Sequence, residues 1–285
     1  MAANAITGGD GSRYAVVTGA NRGIGLEIVR QLAEAGVVVV LTARDIDKGL
    51  LAAHSLDLEN VVFHHLDVQA PLSVRELAEF VQSRYGRLDI LVNNAGASGV
   101  VVDVERLKAL NVDPKSWLSG EATDIVQQAI QQPYLEAVKC LDINYTGCKR
   151  VIEGLLPLLS LSPFGARIVN VSSLRSELKE KIDGIVKRFL HDLKEGKLEE
   201  NGWTKMLPAY SMSKQALNAY TRVLAKKYPN MYINCVHPGY VKTDLNWQTG
   251  VLTVEEGAKG PIKLALLPDG GPTGCYFDQT EMAEF

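Results

Sequence analysis

The chain has little that would tie it to a metal, a membrane or a polyanion. Its four cysteines, Cys140, Cys148, Cys235 and Cys275, are scattered without metal-ligand spacing in stretches that read as buried helix or strand. That excludes a cysteine-rich metal fold or disulfide framework and fits free thiols in a reducing compartment. No apolar run approaches the roughly 20 residues of a membrane span, and Met1 to Ser12 lacks the basic, apolar and small-residue order of a signal peptide. A cytoplasmic location is expected, with the short polar leader read as a frayed end. A net charge of -3 gives no electrostatic case for nucleic acid or an anionic membrane. His64 and His65 fall on opposite faces of one strand with no third ligand at suitable spacing, so no metal site is expected. There is no internal repeat, low-complexity tract or interdomain linker, and residues 1–285 are expected to form one domain around one α/β core.

What is present is an alternation of short β-branched runs with helical periodicity. Tyr14 to Thr18 reads as a strand, followed at once by the turn Gly19, Ala20, Asn21, Arg22, Gly23, Ile24, Gly25 and a helix through Ala35. In that order the glycines let the backbone turn tightly and approach a pyrophosphate, and the helix N-terminus at Ile24 offers unpaired amides and a positive dipole end. Further strands are expected at 37–42, 61–66, 88–93, 166–171, 231–236 and 274–277, about seven in all. The pattern predicts a Rossmann-type, doubly wound parallel sheet with helices on both faces. Helices are expected at 48–55, 71–85, 121–131, from 133 to about 159, from 210 to 227 and from 253 to about 267.

Ligands of such sheets collect at the carboxyl ends of the strands. Arg44 ends the second strand, where an arginine pairs with the 2'-phosphate of NADP; Arg22 in the glycine turn can reach the same group. Asp45 opposes this, because an acidic side chain turned to the ribose favours NAD. Asp67 can accept from the adenine amino group with Val68 covering the ring, or serve as a turn aspartate. Small residues at Asn94, Ala95 and Gly96 let a cofactor lie against backbone. Tyr210 and Lys214 lie one helical turn apart on the same face, and an ammonium held beside a phenol favours the phenolate. Ser172 and Ser173 stand at the end of the fifth strand. Between Ser173 and Tyr210, Ile182, Ile185, Val186, Phe189, Leu190 and Leu193 recur at helical spacing, with Glu177, Lys179, Lys187, Asp192 and Lys194 between them. This describes an amphipathic helix lying on the domain, within an inserted, lid-like segment 174–208.

Taken together, Thr18 and Gly19 with Gly23 and Gly25, the run Asn93 to Gly96, Asn144, Ser173, Tyr210 with Lys214, and Pro238 with Gly239 resemble the short-chain dehydrogenase/reductase family over almost the whole chain. The long interval before Tyr210 resembles the monomeric carbonyl reductases. The stretches 224–230, 235–244, 250–257 and 266–272 are similar to the plant branch that includes salutaridine reductase and the menthone reductases, although the insertion here is shorter.

The resemblance implies that Tyr210 donates a proton to a carbonyl oxygen while NADPH supplies hydride to its carbon, with Ser173 holding that oxygen. It also implies that Lys214 lowers the tyrosine and holds the nicotinamide ribose, that Asn144 carries a water relay, and that Thr243, after Pro238, Gly239 and Val241, binds the carboxamide. Asn144 can instead merely distort its helix, and Thr243 can be a turn residue. The expected function is NADPH-dependent reduction of a ketone or aldehyde on a hydrophobic small molecule, terpenoid- or alkaloid-like. Double-bond reduction and a non-catalytic NADP-binding sensor are the alternatives. Trp117, Trp203, Tyr240 and Trp247 are candidates for apolar pocket walls, and the inserted helix, by covering the family's tetramer surface, implies a monomer.

Overall fold

The computed structural model describes residues 11–113, 116–117, 120–173 and 182–285. Residues 1–10 of the leader and the positions Glu177 and Lys179 lie outside the described residues. All seven expected strands form: β1 (Tyr14–Val17), β2 (Val38–Ala43), β3 (Val61–His65), β4 (Ile90–Asn93), β7 (Arg167–Val171), β8 (Tyr232–His237) and β9 (Tyr276–Asp278). An eighth, β10 (Glu281–Ala283), folds back antiparallel on β9 through Gln279, whose φ of 54° lets the chain reverse. The expected seven-stranded count is corrected to eight. The order is β10-β9-β8-β7-β4-β1-β2-β3, with every pair but β10-β9 parallel. The chain leaves β1 in one direction to β2 and β3, then returns to β4 on its other side. That reversal opens a crevice at the carboxyl edge between β1 and β4.

Helices cover both faces. The helices Gly23–Glu34, Ile46–Leu56 and Val254–Ala265 bury their apolar stripes with Val17, Leu41 and Val92. On the other face, Pro71–Tyr85, Cys148–Leu159 and Pro208–Lys227 pack around Val16, Leu91 and Ile168. Strands β1, β2, β4 and β7 are buried at every residue, so β1 and most of β2 and β4 run apolar without alternation, and the polar Arg167 and Asn170 of β7 are buried with hydrogen-bond partners.

Two expected helices change. The run from Pro133 is helical to Leu159, but its middle, Asp142–Gly147, widens into a π turn. The helix expected at 121–131 shrinks to Thr123–Val126, and Ile130–Gln131 (β6) pairs antiparallel with Val101–Val102 (β5). Pro133 disfavours helix in the residue before it, and Gln132 Nε2 ties the returning chain to the Gly99 carbonyl at 2.8 Å.

The amphipathic helix of the insertion spans Ile182–Lys194, with Ile185 and Phe189 buried against the body. Asp183 accepts from the Tyr145 hydroxyl at 2.7 Å and lies 3.2 Å from the Lys149 ammonium, which pins the helix start. Asp192, expected among the polar positions, is buried and accepts from Trp203 Nε1 at 2.8 Å. Trp203 stacks edge-on to Phe189, 5.3 Å between centroids. It therefore stitches the insertion to itself and is not the pocket wall expected from sequence.

Candidate active site

The glycine turn ends β1 and faces the crevice. Gly19 and Gly23 have φ of 61° and 58°, the left-handed region that favours glycine. A Cβ at Gly25 would stand 2.4 Å from Asn94 Nδ2 and 2.8 Å from the Gly19 carbonyl oxygen. Asn94 explains that crowding: its amide donates to the carbonyls of Thr18 and Gly19 at 3.0 Å each, while the Thr18 hydroxyl accepts from the backbone of Asn94 and Ala95. The residue before the helix, Arg22, caps none of its amides through its side chain, so the dipole end opens into a cleft of about 340 Å³. Gly19, Arg22, Gly23, Ile24, Gly25, Asn94, Gly96 and Thr243 all line it, joined by Lys242, Asp244, Leu245 and Gln248, which sequence reasoning had not singled out.

Other expected cofactor residues sit outside that lining. Asn21 is half-buried in the turn, and Ala95 packs against Gly19. Arg44 is exposed at the end of β2. Asp45 beside it is occupied: its carboxylate caps the helix Ile46–Leu56 by accepting from Lys48 N at 3.0 Å, and the Lys48 ammonium lies at 3.2 Å. These groups hold its carboxyl below the usual carboxylate range. Asp67 Oδ1 accepts from Gln69 N at 3.0 Å, the turn arrangement, at the end of β3. Val68 is buried in the core beside Gly147. Arg22 pairs with Asp244 across the cleft, and Gln248 donates to the same carboxylate at 2.6 Å.

At the neighbouring end of the sheet the four reacting candidates come together. Tyr210 and Lys214 lie in the first turns of Pro208–Lys227, the ammonium 5.7 Å from the phenol ring centroid. Lys214 is buried, and its Nζ donates to the Val171 carbonyl at 2.8 Å. Ser173 stands near enough to the Tyr210 phenol to lower it, while the Ser172 hydroxyl, which also lines the cavity at Tyr210, donates to Asn218 and the Lys214 carbonyl. Burial pushes the phenol up to about 12, against the lowering effect of Ser173, and pushes the Lys214 ammonium down to about 8. Without cofactor the phenol thus lies above its ordinary value, raised by burial.

Asn144 occupies the π turn, the kind of local widening that often accompanies functional side chains. Its Oδ1 accepts from Ala97 N at 2.8 Å; its Nδ2 donates to the Ala97 carbonyl at 3.0 Å and to Ser213 Oγ at 2.9 Å. A Cβ at Gly96 would lie 3.5 Å from Asn144 Oδ1 and 3.9 Å from Lys214 Nζ, which puts the asparagine and lysine at the cleft's edge. The helix is held in register with the sheet by a buried chain, Asn93 Nδ2 to Asn170 Oδ1 and Asn170 Nδ2 to Thr221 Oγ1, each 2.9 Å.

A second cavity, about 130 Å³, opens on Tyr210. Trp117, Tyr240 and Trp247 wall it as expected, together with Pro238, Gly239, Val241 and Thr243. His237 and Leu207 also line it and went unrecognised in sequence. His237 was legible only as a strand end before Pro238. Its ring is buried, its Nδ1 unpaired among the described residues, and burial keeps the imidazole below its usual value.

A doubly wound sheet with a glycine turn at its topological switch point places this chain in the α/β dinucleotide-binding class. Comparison with known proteins narrows the class. The chain belongs to the short-chain dehydrogenase family, whose model matches residues 13–182 and 200–251. It is 46% identical over 300 residues to a (+)-neomenthol dehydrogenase of Arabidopsis thaliana, covering 96% of this chain and 98% of that protein. A carbonyl reductase of Mus musculus whose name specifies NADPH is 35% identical over 285 residues, covering 90% and 92%. The structure of salutaridine reductase from Papaver somniferum superposes with a TM-score of 0.85 at 44% identity, over 93% of this chain and 99% of that one. The chain is thus an oxidoreductase of this family. Among the described residues no helix is long and apolar enough to cross a membrane.

Proposed function

We propose that the protein reduces a ketone or aldehyde on a hydrophobic, terpenoid- or alkaloid-like small molecule to an alcohol, with NADPH as cofactor and Tyr210 as proton donor. The observation that carries this is the Tyr210 phenol at an aromatic-walled cavity with the buried Lys214 ammonium 5.7 Å from its ring. When bound, NADPH supplies a hydride to the carbonyl carbon. The chain's own groups do the rest. Tyr210 gives its proton to the carbonyl oxygen, and Ser173 donates a hydrogen bond to that oxygen as its negative charge grows. Lys214, charged at neutral pH, favours the phenolate left behind and holds the ribose. Asn144, fixed to the Ala97 backbone, supports the water through which Tyr210 regains its proton. The relatives named above are by name a (+)-neomenthol dehydrogenase, a carbonyl reductase and a salutaridine reductase, which supports this chemistry for the present chain. The test is consumption of NADPH with a panel of cyclic ketones, with the alcohol identified as product.

The residues present fit the phosphorylated cofactor. The uncapped helix end and the glycine turn suit a pyrophosphate, and Asp45, committed to its helix cap and to Lys48, is not turned to a ribose hydroxyl. Arg44 carries the 2'-phosphate, and Arg22 meets it by exchanging Asp244 for the phosphate. Arg44→Ala is expected to raise KM for NADPH by about 10-fold, the size of one charge-assisted hydrogen bond, and to leave KM for NADH unchanged. Equal loss with both cofactors would remove the assignment.

The helix Ile182–Lys194 is anchored to the body through Tyr145, Lys149 and the core, where the family resemblance implies that it covers the surface used for tetramers. A monomer is expected, and light scattering that returns a stable tetramer would overturn it.

A further inference from the structure

Two cavities meet at one side chain. The cavity at Tyr210 measures about 130 Å³, and another of about 320 Å³ lies among Val100, Val126, Ile130, Met206 and Pro208; Leu207 lines both. Pockets for small molecules ordinarily span about 300–1,000 Å³. The first cavity alone therefore admits little beyond one carbonyl-bearing ring, while the second has the volume for another.

Leu207 is placed by backbone rather than by helix. Its φ is 45°, the left-handed region that a leucine rarely adopts, at the residue before the helix carrying Tyr210. Its carbonyl accepts from Ser211 N at 2.9 Å, and the Met206 carbonyl accepts from Ser211 Oγ at 3.0 Å. Around it the walls are fastened: Gln132 accepts from Ala209 N at 3.1 Å and donates to the Gly99 carbonyl at 2.8 Å. The half-buried Leu207 side chain is left as the partition between fixed walls. The larger cavity also offers no spare charge, because Lys205 at its edge is paired with Glu199 at 2.7 Å and Gln132 is used at both ends. Apart from the exposed Gln127 amide at its rim, recognition there rests on shape and apolar burial.

We propose that Leu207 is a specificity-determining gate, and that the 320 Å³ cavity is a subsite for the distal apolar ring of a neutral, extended ketone whose carbonyl ring sits at Tyr210. The proposal rests on the reading of Tyr210 as the site of carbonyl reduction. The test uses cyclohexanone as the short ketone and 4-phenylcyclohexanone as the extended one, with the full chain and NADPH. Binding is read by quenching of tryptophan fluorescence, since Trp117 and Trp247 line the pocket, and turnover is read in parallel.

Leu207→Ala and Leu207→Gly, the latter also suited to the left-handed backbone, are expected to improve binding and kcat/KM for the extended ketone by about 10-fold, in the range one or two methylenes command in an apolar pocket. Cyclohexanone should be little affected. Val100→Phe, which fills the subsite, should reverse the preference. If all three variants leave the ratio between the two ketones unchanged, the gate is wrong. If neither ketone is turned over by the natural chain yet the variants shift their binding ratio as stated, the gate stands and the carbonyl-reductase reading falls.

Discussion

Replacing Tyr210 with phenylalanine is expected to lower kcat for carbonyl reduction by about 10²–10⁴-fold, the range of a positioned general acid, with the NADPH dissociation constant essentially unchanged. The change removes one oxygen. It leaves the ring, which the Lys214 ammonium faces at 5.7 Å, and it leaves the helix start and Leu207 as they are. A phenol pushed up to about 12 stays protonated through the neutral range and is ready to donate. Lys214 is expected to set the upper limit in pH. Its ammonium, pushed down to about 8, is charged below that value and loses its charge as pH rises through it. Reduction should therefore hold across pH 6–7 and fall above about 8, as the phenolate formed in the reaction loses its positive neighbour. Stopped-flow turnover with NADPH, alongside cofactor binding by fluorescence, separates the outcomes. Loss of binding with loss of rate would make Tyr210 a cofactor contact first, and an unaffected rate would remove it from the chemistry.

How far the sequence carried this arrangement depends on whether a residue's partner is near in the chain. The strands were legible because a parallel sheet buried on both faces forces unbroken apolar runs, as in Val37 to Leu41. Tyr210 and Lys214 were legible because helical spacing alone brings them together. β10 was not, since three residues of Glu, Met and Ala carry no strand signal and form a strand only because Gln279 reverses the chain beside β9. The π turn at Asp142–Gly147 shares its apolar periodicity with an α-helix and shows itself only through what Asn144 must reach, the Ala97 backbone far away in sequence. Trp203 was misplaced for a similar reason: its partner is the buried carboxylate of Asp192, a residue that periodicity assigned to the polar side. The Asp244 contact with Arg22 and the presence of His237 and Leu207 beside Tyr210 depend on loops that the strand ends bring together. Such contacts leave no local pattern.

Gly25→Ala is expected to weaken NADPH binding by about 10²-fold, the scale of a displacement near 1 Å in a positioned site. The position has no unusual φ, so the backbone itself would accept alanine, and helix propensity would favour it. What forbids it is space. The new methyl would meet Asn94 Nδ2 at 2.4 Å, the Gly19 carbonyl oxygen at 2.8 Å and Ala20 Cα at 3.0 Å, and two of these three are backbone. The Asn94 amide cannot swing away without giving up its bonds to the carbonyls of Thr18 and Gly19, the bonds that hold the turn against β4. Either the helix start moves outward or the turn opens, and both carry the uncapped amides away from the cleft they face. Thermal unfolding distinguishes this from general collapse: the clash meets one core cluster only at its edge, at Ala20, and leaves the cluster on the other face untouched, so the melting temperature of the apo chain should drop modestly while the stabilisation expected from NADPH disappears. A variant that retains the full NADPH-induced rise in melting temperature would show that the pyrophosphate is held elsewhere than at this helix end.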